Sequence, residues 1–191
     1  MKKLFFCLVC ILIEEITLAQ VQHMKFKGIP IDGTLKEYIS AMTKVGFKYD
    51  DTYEGVAILT GDFAGFKNCT IGVSTLQNCD LVNCIAVLFP SNNKWPSLLD
   101  DYEQLKEMLI TKYEEPEFCE EYFKKEVNDD DSKKYAVGSD DCVWKTVFET
   151  ELGEIELSIV DGVLFHSGTV RIVYYDKINT QKVKKAAMDD L

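Results

Sequence analysis

The chain has 191 residues, a formal net charge of −11 and a single arginine, Arg171. Such an acidic chain repels phosphate backbones and anionic lipid heads, which argues against binding to nucleic acid and to anionic membrane surfaces. The length suits one sizeable hydrophobic core or two small ones.

The N-terminus has the three-part pattern of a secretory signal peptide. Two lysines precede an apolar run at 4–13, and small residues precede a cleavage point after Ala19. The run has about ten residues, against the roughly 20 that cross a bilayer. We therefore predict a cleaved signal peptide at 1–19 and a periplasmic or secreted mature chain without a membrane span. The alternatives are a buried N-terminal helix and lipidation at Cys10.

Five cysteines follow the predicted cleavage point. They are Cys69, Cys79, Cys84, Cys119 and Cys142. An oxidising compartment favours disulfides, and we predict the pair Cys119–Cys142 because it would close a long polar stretch at 117–141. The other three lie in or beside predicted strands and are expected to behave as small hydrophobes. Without a C-x-x-C motif or a neighbouring histidine, no metal site is predicted.

The first half of the mature chain predicts a turn at 28–33, a helix and three strands. Thr34 stands three residues before Glu37, which is the spacing of a capping box, and Gly46 is placed to end the helix. Three short runs rich in β-branched and aliphatic residues follow. They lie at 55–61, 69–74 and 81–89, and a weaker alternation at 21–26 indicates an edge strand.

The run at 81–89 is apolar at nearly every position. Such a strand is usually central and covered on both faces of its sheet. Two arrangements follow for this strand. Either helices cover both faces of the sheet, or one face is left for a partner.

The second half predicts a helix that opens at Trp95, has an apolar stripe and stops before Pro116. After the polar stretch, which we interpret as a long loop, two strands at 144–150 and 154–160 predict a hairpin. A loop with an even number of residues would place Trp144 opposite Ile159 and Phe148 opposite Ile155 and would bury these larger aromatic residues. A three-residue loop ending at Gly153 would turn every side chain of the hairpin to the other face. We favour the even-numbered loop. A strand at 169–175 and a short last helix follow.

A helix followed by three strands thus occurs twice, at 20–92 and 93–191, within one continuous domain. The simplest packing is an α+β fold, in which one antiparallel sheet carries its helices on a single face. In the strand 169–175, Arg171, Val173 and Tyr175 share one side and Val170, Ile172 and Tyr174 share the other. If the second set meets the helices, the first set is available to a partner.

The segment Gly33-Thr34-x-x-Glu37-Tyr38-x-x-x-Met42-x-x-x-Gly46-Phe47, followed by an antiparallel trio, resembles the repeat unit of the β-lactamase-inhibitor-protein-like fold. The C-terminal tail, 175–191, resembles that of exported bacterial proteins. The likeness implies two tandem units whose sheet presents a concave, protein-binding face. The polar stretch at 117–141 is long for such a unit, and no inhibitor's contact residues can be transferred to this chain.

No constellation for catalysis or for a cofactor stands out. A Cys–His pair needs a base beside the thiol, and neither His23 nor His166 has a neighbouring cysteine. The acidic run at 128–131 lacks the glycine and the ligand spacing of a calcium loop, so it predicts a solvated loop. Asn68 begins a glycosylation triplet, which matters only in a eukaryotic secretory route.

The leading hypothesis is a non-enzymatic exported module that binds another envelope or extracellular protein through its sheet. The alternatives are a periplasmic hydrolase and a structural subunit of an envelope assembly. A polar cleft with shifted pKa values would favour the hydrolase, and an exposed apolar patch would favour binding.

Overall fold

The computed structural model describes residues 22–76, 79–162 and 167–189. The predicted signal peptide and His166 lie outside these residues. The elements, numbered in chain order, are β1 Lys25–Phe26, β2 Ile29–Pro30, α1 Leu35–Lys44, β3 Lys48–Tyr53, β4 Val56–Phe63, β5 Phe66–Leu76, β6 Cys79–Leu88, α2 Trp95–Tyr113, β7 Phe118–Phe123, α3 Asp130–Gly138, β8 Cys142–Thr150, β9 Gly153–Asp161, β10 Gly168–Asp176 and α4 Lys177–Asp189.

Eight strands form one antiparallel sheet in the order β3-β4-β5-β6-β10-β9-β8-β7, and β1 pairs with β2 separately. The predicted α+β class is confirmed. The two halves of the chain meet where β6 pairs with β10, with Val87 opposite Ile172. Because the strand order of the second half mirrors that of the first, the first large-sheet strand of each half lies at an outer edge.

After its first helix, each half contributes four strands to the large sheet, one more than was predicted. The edge strand predicted at 21–26 is limited to β1, which pairs with β2 outside that sheet. β3 lies between α1 and the first of the three predicted strands, and β7 lies at the start of the polar stretch at 117–141. The interpretation of 117–141 as one long loop is wrong, because this stretch contains both β7 and α3. All six residues of β3 and five of the six in β7 are exposed. Charged edge strands lack the apolar alternation by which buried strands are recognised, and their charges discourage pairing with other chains.

The helix α1 begins and ends as predicted. The Thr34 side chain accepts a hydrogen bond from the Glu37 backbone, and the Glu37 carboxylate accepts one from the Thr34 backbone at 3.1 Å. Gly46 follows the helix with a φ of 100°, in the region that favours glycine. Tyr38 and Met42 are buried against the sheet, so the capping box fixes the start of a helix whose apolar stripe belongs to the core.

The hairpin between β8 and β9 has an even-numbered loop, as was favoured, and the loop is two residues long. Thr150 pairs with Gly153, and Phe148 lies opposite Ile155. Both Phe148 and Ile155 are fully buried. This register directs the larger apolar side chains of the hairpin to the same side as α1, α2 and α3.

The hydrophobic core of the described residues lies between one face of the sheet and the helices α1, α2 and α3. It contains Tyr38 from α1, Tyr102 from α2 and Val137 from α3. The predicted inner residues of β10 belong to it as well; they are Val170, Ile172 and Tyr174. None of the helices in the described part of the chain is long and apolar enough to cross a bilayer.

Candidate functional site on the open sheet face

The face of the large sheet opposite this core is what we call the open face. Side chains alternate between the two faces of a strand, so the pairing register identifies the residues that share it. Three rows cross it from β3 towards β7. The upper row is Lys48, Thr60, Thr70, Leu88, Arg171, Ser158, Lys145 and Glu120; the central row is Asp51, Ile58, Gly72, Ala86, Val173, Glu156, Val147 and Phe118; the lower row is Tyr53, Val56, Ser74, Cys84, Tyr175, Glu154 and Glu149.

Exposed aromatic side chains border the open face at both edges. Tyr53 of β3 is 70% exposed, and Phe118 and Tyr122 of β7 are 41% and 46% exposed. Large aromatic residues that reach solvent are enriched among the anchors of protein interfaces. Their position on two opposite edges gives the face an aromatic border on each side.

A pair of salt bridges occupies the second half of the open face. Glu156 accepts from Lys145 Nζ at 2.6 Å through one carboxylate oxygen and from Arg171 Nη2 at 2.8 Å through the other. Glu156 is only 8% exposed. Burial acts to raise the pKa of its carboxyl, but the hydrogen bonds and charges of Lys145 and Arg171 outweigh burial and lower that pKa below its usual range. The arrangement links β8, β9 and β10 through side chains.

The three residues proposed for partner binding share the open face, as the alternation predicted. Arg171 and Tyr175 are partly exposed, whereas Val173 is only 4% exposed between Ala86 and Glu156. Arg171 already binds Glu156. Burial is the main cause that raises the pKa of the Tyr175 phenol. Tyr175 therefore offers a neutral ring and hydroxyl to a partner.

The predicted disulfide between Cys119 and Cys142 is wrong. Cys119 lies opposite Thr146 and Cys142 lies opposite Phe123, so four residues of strand separate them. At about 3.4 Å per residue this is about 14 Å, twice the largest Cα separation that a disulfide spans. Both are free thiols, as are the other three cysteines of the described chain.

A pocket of about 410 Å³ lies where the open face meets α4. Its sheet wall includes Glu149, Glu154 and Tyr175, and its helix wall includes Thr180 and Lys184. Glu149 and Glu154 are directly opposite each other on neighbouring strands. Like charges in that position repel each other.

A second pocket, of about 800 Å³, lies at the end of the sheet near the N-terminal segment and is lined in part by His23 and Asp32. The His23 ring bridges two carboxylates, Asp176 at 3.1 Å and Asp32 at 3.5 Å. In the described chain no hydroxyl or thiol group is hydrogen-bonded to His23, and no group of three or more histidine, cysteine or acidic side chains is arranged to hold a metal ion. His23 thus joins segments of the chain in this structure.

No family model matches the chain, and no curated protein or solved structure matches it either. The open face is therefore identified as the candidate site from its geometry. The sequence indicated the face through Arg171, Val173 and Tyr175. It did not indicate Glu156 or the aromatic borders, because the strands that carry the borders were not predicted.

Proposed function

We propose that this chain is an exported, non-enzymatic module that binds another envelope or extracellular protein through the open face. The observation that carries the proposal is the set of exposed aromatic residues, Tyr53, Phe118 and Tyr122, at both edges of a sheet face opposite the core. A folded partner that lies across the sheet would contact both borders at once.

The size of the open face suits a protein partner. Eight strands spaced by about 4.8 Å span about 34 Å, and three rows with their side chains cover about 20 Å in the other direction. The resulting area of about 700 Å² is close to the roughly 800 Å² that each partner contributes to a standard protein interface. A small molecule would cover only a fraction of it.

Export rests on the N-terminal pattern at 1–19, and the envelope or extracellular location of the partner follows from export. The resemblance to the β-lactamase-inhibitor-protein-like fold also supports a protein-binding function, since that fold binds protein on its sheet.

Affinity capture with matched tyrosine variants tests the proposal. Purified wild-type protein and the variants Tyr53→Ala, Tyr122→Ala and Tyr175→Ala are used to capture proteins from envelope and culture fractions. Tyr135→Ala is the control, because Tyr135 is 66% exposed but lies on α3, on the side of the core.

We expect a partner that the wild-type protein and the Tyr135→Ala variant recover equally, with recovery reduced at least several-fold by each open-face substitution. Equal recovery by all variants would place the interface elsewhere and refute the proposal. Circular dichroism of each variant checks that the fold is retained.

A further inference from the structure

The open face is divided into two halves of different chemistry. The half formed by β4, β5 and β6 has no charged side chain at any of its nine positions. These are Val56, Ile58, Thr60, Thr70, Gly72, Ser74, Cys84, Ala86 and Leu88. The charged side chains that the three rows place on inner strands lie instead on β8, β9 and β10.

The side chains of the uncharged half are smallest at its centre, where Gly72 lies beside Ala86. A Cβ atom added to Gly72 would have only Val56 Cγ1, at 3.5 Å, and the Ala86 Cβ and carbonyl oxygen, at 3.8 and 4.0 Å, within 4 Å. The side chains around these two positions are larger. The result is a shallow depression suited to an apolar side chain of a partner.

The charged half has carboxylates that the protein does not neutralise. Glu156 binds both Lys145 and Arg171. Glu149 and Glu154, which lie opposite each other, form no ion pair within the described residues. Both bases of this half of the open face, Lys145 and Arg171, are therefore paired with Glu156. The unpaired charges between β8 and β9 are the negative charges of Glu149 and Glu154.

Glu149 and Glu154 lie in the 410 Å³ pocket beside α4. Its helix wall carries Thr180, whose buried hydroxyl has no hydrogen-bond partner, and the exposed Lys177 and Lys184. Neither lysine is paired with a carboxylate in the described chain. A cation placed between the two glutamates would relieve their mutual repulsion.

A second copy of this chain is a poor occupant of the open face. Each copy carries a formal charge of −11, so two copies repel each other. Charge complementarity instead favours a partner that brings positive charge to the pocket.

From these observations we infer that the occupant of the open face is a basic polypeptide segment, with an apolar side chain over Gly72 and Ala86 and a lysine or arginine between Glu149 and Glu154. Ala86 and Glu154 are two strands and two residues apart, which is about 12 Å. An extended segment covers this distance in about four residues. The inference rests on the proposed function and specifies the partner's chemistry.

The test uses a capped pentapeptide of that design, acetyl-Leu-Gly-Ser-Gly-Arg-amide, and its analogue with citrulline in place of arginine. Citrulline keeps the shape of arginine without its charge. Each is titrated into ¹⁵N-labelled protein, and amide shifts are followed by NMR. We expect weak binding of the arginine peptide, with shifts on β6, β9 and the first turns of α4, and binding of the citrulline peptide weaker by about tenfold.

Variants with matched charge separate a local effect from net charge. The double variant Glu149→Gln/Glu154→Gln is expected to bind both peptides equally weakly. The control Glu107→Gln/Glu115→Gln changes the net charge by the same amount at exposed positions on and just after α2, and it should bind like the wild type. Lys184→Gln should strengthen arginine-peptide binding, because it removes a positive charge from the same pocket.

Equal binding of the two peptides by the wild type, no binding of either, or equal loss in both double variants would overturn the inference. If the pocket double variant fails to fold, the peptide comparison and the Lys184→Gln variant decide. Loss of the captured partner in the tyrosine variants together with equal peptide binding would refute only this inference. Selective arginine binding with unchanged partner capture would refute the proposed function instead.

Discussion

His23 and Asp176 are 153 residues apart in the chain, yet their side chains meet at 3.1 Å. Asp176 is completely buried, and it also accepts hydrogen bonds from the backbone of Met24 and Asn179, both at 2.8 Å. The contact fixes the N-terminal segment to the junction of β10 and α4. One buried carboxylate thereby satisfies three donors from the two ends of the described chain.

Substitution of His23 by alanine is expected to loosen this junction. Asp176 would remain buried with one hydrogen-bond partner fewer, which costs on the order of 1–3 kcal/mol. Urea unfolding measures the loss, with Lys25→Ala as the control because Lys25 is exposed and has no side-chain partner within the described residues. Unchanged stability of His23→Ala would show that the contact contributes nothing.

Acid is expected to destabilise the protein partly through Glu156 and Asp32. Burial acts to raise the pKa of Asp32, but bonds from Asn179 and the Gly33 backbone outweigh it, so the pKa values of both carboxyls are lowered in the folded state. The unfolded chain therefore binds more protons as the pH falls. The stabilisation is complete above the ordinary values, 4.5 for glutamate and 3.8 for aspartate, and is lost as the pH falls through the folded values.

The variant Glu156→Gln lacks one of these titrations. We expect it to be less stable than the wild type at neutral pH and to lose less stability between about pH 5 and about pH 3. Urea unfolding at a series of pH values measures both effects. Parallel curves for the two proteins would exclude Glu156 as a source of the acid sensitivity.

The capping box of α1 gives a prediction at an exposed position. Thr34→Ala removes the side-chain acceptor of the Glu37 backbone N–H and should lower the free energy of unfolding by about 1 kcal/mol. Lys36→Ala, in the same helical turn, should have a much smaller effect. If the two variants were equally stable, the capping interaction would be without consequence in this protein.

Gly153 is expected to tolerate no side chain. A Cβ atom there would lie 2.0 Å from the carbonyl oxygen of Tyr175, which is backbone and cannot rotate away. Gly153→Ala should therefore cost at least about 3 kcal/mol or prevent folding. Gly72→Ala is the control, because its new Cβ would find its nearest neighbour at 3.5 Å. Thermal unfolding compares them, and similar transitions would contradict the close approach at Gly153.

The thiols are expected to differ in reactivity. Burial raises the pKa of Cys84 and of Cys142 to about 12 in each case, so both remain protonated near neutral pH. Cys119 is exposed. Brief iodoacetamide treatment of the native protein, read by peptide mass spectrometry, should modify Cys119 first. A Cys119–Cys142 disulfide in the same maps would contradict the register of β7 and β8.

Local sequence signals were sufficient to predict much of the fold. The capping box, the apolar stripe of α2 and the alternation in β10 were predicted, because each depends on residues close in sequence. β3 and β7 were not predicted. Their residues are charged and exposed, and pairing with β4 and β8 holds them as strands.

The sequence by itself determined the α+β class and the set Arg171, Val173 and Tyr175 on one side of β10. These follow from periodicity and turn chemistry. Only the tertiary structure decided that Cys119 and Cys142 are separated and that Tyr53 and Phe118 border the same face. Those relationships depend on strand register and strand order, which long-range pairing sets and which no local pattern encodes.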